Sequence, residues 1–181
     1  VVRLISHVQL INNSLEIADQ KKIERAALLS KADLASSCVK EFPELQGVIG
    51  KYYALAQKED SEVAAALEEQ WLPKSDGGTL PKTPTGIILS LSDKIDNLLG
   101  YYSVNLKPTS SSDPYSLRRQ TIGLIKILLD GRHSIDLQKI LEACSKKFPH
   151  FKSELIEEIL RFITARGASG RGASSAITSR M

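Results

Sequence analysis

Apolar residues recur along most of this chain at the three- and four-residue steps of an α-helix. Leu4, Val8, Ile11 and Leu15 form the first such stripe. A second helix is predicted from about Lys21 to Val39, with Ile23, Ala26, Ala27 and Leu34 on its inner side. A third opens at Phe42-Pro43-Glu44, where a proline suits the first turn because its missing N–H would be unpaired there anyway. Leu45, Val48, Ile49, Tyr52 and Leu55 follow at helical spacing, which assigns Tyr52 to the core and Tyr53 to the more exposed side. Gly47 falls inside this helix, where glycine costs about 1 kcal/mol relative to alanine. Close approach of another helix is the expected offset. A fourth helix starts near the capping residues Asp60 and Ser61, carries Val63, Ala66, Leu67 and Trp71, and is stopped by Pro73.

Residues 73–84 read as a loop from their Gly, Pro, Ser and Asp content. The next helix, about Thr85 to Tyr102, has Ile87, Ile88, Leu89, Leu91, Ile95, Leu98 and Leu99 on most of its circumference, which predicts a central, buried position. A loop over 103–113 ends at Asp113-Pro114, read as a cap and a first-turn proline. A helix marked by Leu117, Thr121, Leu124, Ile125 and Leu128 then runs to Gly131. Two more are predicted at about 135–148 and 154–165, capped by Ser134 and Ser153. No alternating run of strand length has turn signals at both ends. The expected fold is all-α, with seven to eight helices and a disordered C-terminal tail over 167–181 that could be foreign to the native protein.

Composition narrows this further. Hydrophobic residues at 42% and charged residues at 25% fit a globular protein, and 181 residues make one large domain or one domain plus pieces of a neighbour. Val1 already lies in a helical pattern and the only methionine is Met181, so the chain is expected to be part of a longer protein. It has no signal-peptide pattern and no apolar stretch of about 18 residues, and its two cysteines, Cys38 and Cys144, are too few for a disulfide framework. A reduced, cytoplasmic setting with no membrane partner follows as the expectation, and both cysteines read as ordinary buried residues rather than reactive thiols.

The charge is uneven. Residues 1–100 carry 11 Lys and Arg against 14 Asp and Glu, whereas residues 101–181 carry 13 against 7. A polyanion would therefore be drawn to the second half, unless its basic surface is simply solvated. No glycine-rich phosphate loop precedes a helix, and His133 and His150 are isolated, so no catalytic residue is assigned.

Two motifs give the chain a family likeness. Residues 41–54 run Glu41-Phe42-Pro43-Glu44-Leu45-Gln46-Gly47, then Gly50, then Tyr52-Tyr53-Ala54. Residues 107–119 run Lys107-Pro108-Thr109, then Asp113-Pro114-Tyr115, then Leu117-Arg118-Arg119. Between them stand Leu80-Pro81, Thr83-Pro84 and Ser92-Asp93-Lys94-Ile95-Asp96. In that order the set resembles the central part of the bacterial-type glycyl-tRNA synthetase β subunit, over roughly residues 22–130.

The resemblance implies an HD-like helical domain over 1–131, with 132–166 adding helices to the same domain or opening the next. It implies a parent enzyme that joins glycine to tRNA-Gly with ATP and Mg, the adenylate chemistry lying in the α subunit or a fused α region. This fragment itself would need no cofactor. Its implied partners are tRNA-Gly, the α subunit and the remaining β-subunit domains.

Active HD proteins hold a metal with a His, a His-Asp pair and a distant Asp. Here Ser30-Lys31 follows Ala26-Ala27-Leu28-Leu29 where the pair would stand, only Asp93 matches the last position, and His7 matches the first weakly. Lys31 would put an ammonium where a cation belongs, so no metal ligands are assigned. Asp93 is read as a vestigial HD position held in a buried polar network, with Lys31 as one possible partner.

The candidate tRNA contacts are Arg118, Arg119, Lys126 and Lys107. Arg119 and Lys126 are seven apart and share a helix face, and guanidinium forks match phosphate oxygens. Internal pairing of the same arginines with acids is the competing role. The alternative functions are a metal-dependent phosphohydrolase and a structural spacer that positions neighbouring domains or subunits.

Overall fold

A computed structural model describes residues 1–109 and 111–167; most of the tail predicted to be disordered lies outside these. The described residues form nine α-helices and two short 3-10 turns, with no strand among them. The helices are α1 (Val2–Leu15), α2 (Gln20–Leu29), α3 (Ser37–Glu41), α4 (Val48–Ala56), α5 (Ser61–Glu69), α6 (Pro84–Ser103), α7 (Leu117–Asp130), α8 (Leu137–Ser145) and α9 (Glu154–Gly167). The chain divides into two compact units, Val1–Asp93 and Lys94–Met181, with the division inside α6.

In the first unit α2 packs on α1 and α5, and α5 packs on α4. Val8, Ile11, Ile23, Ala26, Ala27, Ala64, Ala66, Ile88, Leu89 and Leu91 are almost completely buried. Side-chain caps fix where helices begin: Asp19 accepts from the Lys22 N–H at 3.0 Å, and Asp60 accepts from the Glu62 and Val63 N–H groups at 2.8 and 3.2 Å. Each such cap pairs an N–H that the first turn of the helix would otherwise leave without a partner. In the second unit α9 packs on α7 and α8, and Ile95, Leu98, Leu99, Leu117, Leu124, Leu141, Ile159 and Ile163 are buried. The cap of α8 is Asp136, which accepts from the Lys139 N–H at 3.0 Å, not Ser134.

The long helix expected over 21–39 is broken. After α2 the chain makes a 3-10 turn at Ala32–Ala35 and restarts as α3, with the Ser36 hydroxyl accepting from the Val39 N–H at 3.2 Å. Leu34, expected on the inner stripe, is exposed. The next expected helix is also interrupted: Pro43–Leu45 form a 3-10 turn, and α4 starts only after Gly47.

One contact accounts for both breaks. The buried Asp33 carboxylate accepts the Gly47 N–H at 2.7 Å, tying the 3-10 turn at 32–35 to the start of α4. Gly47 therefore caps a helix with φ +82° instead of lying within one, and the Trp71 indole fills the space beside it. A Cβ on Gly47 would collide with Trp71 Cδ1. The close approach foreseen at this glycine comes from that indole and from the Leu67 carbonyl oxygen, 3.2 Å from where the Cβ would lie.

Gly77 gives an internal control, because it also has positive φ (+80°) but nothing within 4 Å of a built Cβ. Gly77→Ala should cost about 1–2 kcal/mol from backbone strain alone. Gly47→Ala should cost about 1–3 kcal/mol more, from overpacking against Trp71. Urea denaturation of the two variants measures the difference, and equal midpoints would contradict the Gly47–Trp71 packing.

Candidate nucleic-acid interface

Of the basic residues singled out in the sequence, Arg118 and Arg119 lie at the start of α7, Lys126 in its second half and Lys107 in the loop before it. Both oxygens of Asp113 cap this helix, accepting from the Leu117 N–H at 2.8 Å and the Arg118 N–H at 3.0 Å. Ser116, in the left-handed region at φ 54°, separates that cap from the first helical residue, so Pro114 precedes the helix rather than sitting in its first turn. Tyr115 stacks on Tyr101 at 4.1 Å between ring centroids and holds the loop against the end of α6.

This framework sets the four candidates differently. Arg119 is exposed, and one of its N–H groups donates to the Ser116 hydroxyl at 2.7 Å. Arg118 is half-buried and donates to the Thr109 carbonyl, bracing the loop. Lys126 is half-buried, two turns further along the helix from Arg119. Lys107 is paired internally: its ammonium lies 2.6 Å from Glu158 and 5.6 Å from the centre of the Tyr102 ring. A guanidinium has five N–H donors, so Arg118 and Arg119 keep donors for a phosphate after these contacts.

Arg166, near the end of α9, joins this basic group. Its guanidinium lies over the Phe162 ring at 3.5 Å and donates to the Phe162 carbonyl at 2.9 Å. Burial holds it below the usual arginine range, and the positive charge of Arg118 pushes the same way. Forty-eight positions separate these two arginines in sequence, and only the fold makes them neighbours in charge. The available signal was Phe162, four residues before Arg166 on one helix face.

Asp93, read from the sequence as a vestigial HD position, lies in the first unit. Asp93 is buried on α6, and the Lys31 ammonium lies 2.8 Å from its Oδ1. The cation facing Asp93 is therefore a side chain of the protein. His7, Ser30 and Asp33 are buried in the same unit, but among the described residues no three His, Cys, Asp or Glu side chains come together to hold a metal ion.

The cysteines differ in setting, Cys144 being buried and Cys38 half-buried. Burial, reinforced by the charge of Asp96, pushes the Cys144 thiol up to about 12, which leaves it protonated and unreactive at neutral pH. His133 is held below the usual histidine range by burial.

The model of the family described as glycyl-tRNA synthetase beta subunit matches residues 1–173. A glycine–tRNA ligase beta subunit from Syntrophomonas wolfei is 43% identical over 171 residues, covering 92% of this chain and 25% of its own length. One from Desulforapulum autotrophicum is 46% identical over 160 residues, covering 87% and 23%. One from Dichelobacter nodosus is 47% identical over 135 residues, covering 75% and 20%. The chain belongs to the glycyl-tRNA synthetase β subunit family, and it spans about a quarter of the length of the curated relatives it matches. No helix among the described residues is long and apolar enough to cross a membrane.

The Lys31–Asp93 contact sets a stability test. A buried carboxylate that loses its cation is costly, but Lys31 is about a third exposed, so the expected cost lies below that of a fully buried pair. Lys31→Met and Asp93→Ala should each destabilise the chain by about 1–3 kcal/mol, and their effects should fall short of additive in the double variant. Asp76→Ala, in the exposed loop before α6, should stay within about 0.5 kcal/mol. Equal melting temperatures for the Asp93 and Asp76 variants would remove Asp93 from any buried network.

Proposed function

We propose that this chain is a tRNA-positioning segment of a glycine–tRNA ligase β subunit, non-catalytic in itself, with the basic start of α7 as its phosphate-contacting edge. The observation that carries the reading is the exposed Arg119 guanidinium beside Arg118, in the basic half of a chain that belongs to this family. Lys126 lies further along the same helix. In this reading the parent enzyme works in the cytoplasm and glycylates tRNA-Gly with ATP and Mg, with the adenylate step in the α subunit or a fused α region. The first unit is read as an HD-like helical segment in which Lys31, against Asp93, takes the place a metal ion would need. That contact argues against the phosphohydrolase alternative.

A second reading has a specific observation behind it. Arg118 braces the Thr109 carbonyl and Lys107 is paired with Glu158, as expected of a spacer that holds neighbouring domains or the α subunit in place. Salt dependence separates the two. Each phosphate contact releases condensed counterions, so losing one flattens the slope of log affinity against log salt by about one unit.

Arg119→Ala should weaken binding to glycine tRNA and flatten the slope by ~1 unit, and Arg118→Ala with Arg119→Ala by up to ~2 units, with unchanged circular dichroism. In the parent enzyme the double change should raise KM for tRNA and leave adenylate formation intact. A folded double variant with unchanged affinity and slope would exclude these arginines from the tRNA surface.

A further inference from the structure

Helix α4 is inside out. The residues it buries are Gly50 and Ala54, and the Gly47 that caps it is buried as well. Its large apolar residues point the other way: Tyr52 is 60% exposed, Tyr53 47% and Leu55 42%, while Val48 and Ile49 are half-buried. Residues 48, 52 and 55 and residues 49, 53 and 56 are adjacent rows on a helix, so these side chains make one continuous outer surface. The inner face is small because it has no room. A Cβ at Gly47 would strike Trp71, and one at Gly50 would lie 3.2 Å from the Asp33 carboxylate. Tyr52, Tyr53 and Leu55 therefore add little to the core of their own unit, and left in water they forgo the stabilisation that burying large apolar side chains brings.

We infer that the outer face of α4 is an interdomain contact, covered by a part of the same subunit polypeptide that lies outside these 181 residues. Two observations select that occupant. The relatives are about four times as long as this chain, so most of the polypeptide is available to cover it. RNA is disfavoured, because residues 1–93 carry 10 Lys and Arg against 13 Asp and Glu. The only cation on α4, Lys51, is already bound to Glu68 at 2.8 Å. Tyrosines suit a protein contact that is apolar but not wholly dry, since each buries a ring and keeps a hydroxyl for a polar partner. The covering surface should accordingly be apolar, with hydrogen-bonding groups at its edge. This inference rests on family membership and is independent of the RNA contact proposed for α7.

Site-specific photocrosslinking in the full-length β subunit tests it. Tyr52 and, in a second variant, Tyr53 are replaced by p-benzoylphenylalanine. Each protein is irradiated alone, with tRNA and with the α subunit, and the products are mapped by mass spectrometry. Both positions are exposed in their own unit, so the replacement should not disturb its folding. The expected product, from at least one of the two and already in the subunit alone, is an intramolecular crosslink to a residue outside this 181-residue stretch. Crosslinks only to tRNA, only to the α subunit, only to a second copy or only within the stretch would overturn the inference, as would no crosslink from either position.

Discussion

The hydrogen bond from the Gly47 N–H to the Asp33 carboxylate organises the first unit. It joins a 3-10 turn to a helix start 14 residues later and brings a buried negative charge to the positive end of α4. With Asp33 on one side and Trp71 on the other, there is no space for a β-carbon at Gly47 and little at Gly50. The two glycines of the Gly47…Gly50 motif follow from this packing, and so does the outward direction of Tyr52, Tyr53 and Leu55. A motif read from sequence as a family signature is, physically, the joint between α4 and the elements beneath it.

What the sequence discloses follows from the range of the forces involved. Helical spacing and local caps place α1, α5, α6 and the body of α7 closely, because side-chain periodicity and i to i+3 capping are local. Reading stops working between 30 and 47, where the outcome depends on the contact between Asp33 and Gly47 and not on neighbouring residues. Periodicity also identifies an apolar face on α4 but not its direction: Tyr52, assigned by spacing to the core, is more exposed than Tyr53. The Gly and Ala residues opposite were the clue, since a face that small lets another element approach closely. Within the candidate interface, Arg118 and Arg119 were visible as a motif. Arg166 was not, because the nearness of its charge to Arg118 depends on how α9 lies on α7.

The Lys31–Asp93 pair gives the first unit a chemical character of its own. A carboxylate in a helical core needs a counter-charge, and here the chain supplies it. A lysine so placed makes the position self-sufficient, while a metal site must keep its ligands available for an ion. Unit one is then a scaffold with an acidic balance and one apolar face, and unit two carries the basic edge. The two kinds of surface suit different contacts, protein for the α4 face and phosphate for the α7 edge.

That division of roles is most directly tested by hydroxyl-radical footprinting of the full-length β subunit, with and without glycine tRNA. The α4 residues Tyr52, Tyr53 and Leu55 should be protected already in the free subunit and unchanged by tRNA. The segment 115–120 around Arg118 and Arg119 should react freely alone and become protected when tRNA binds. Protection of α4 that appears only with tRNA, together with an unchanged 115–120 segment, would contradict the assignment of both surfaces.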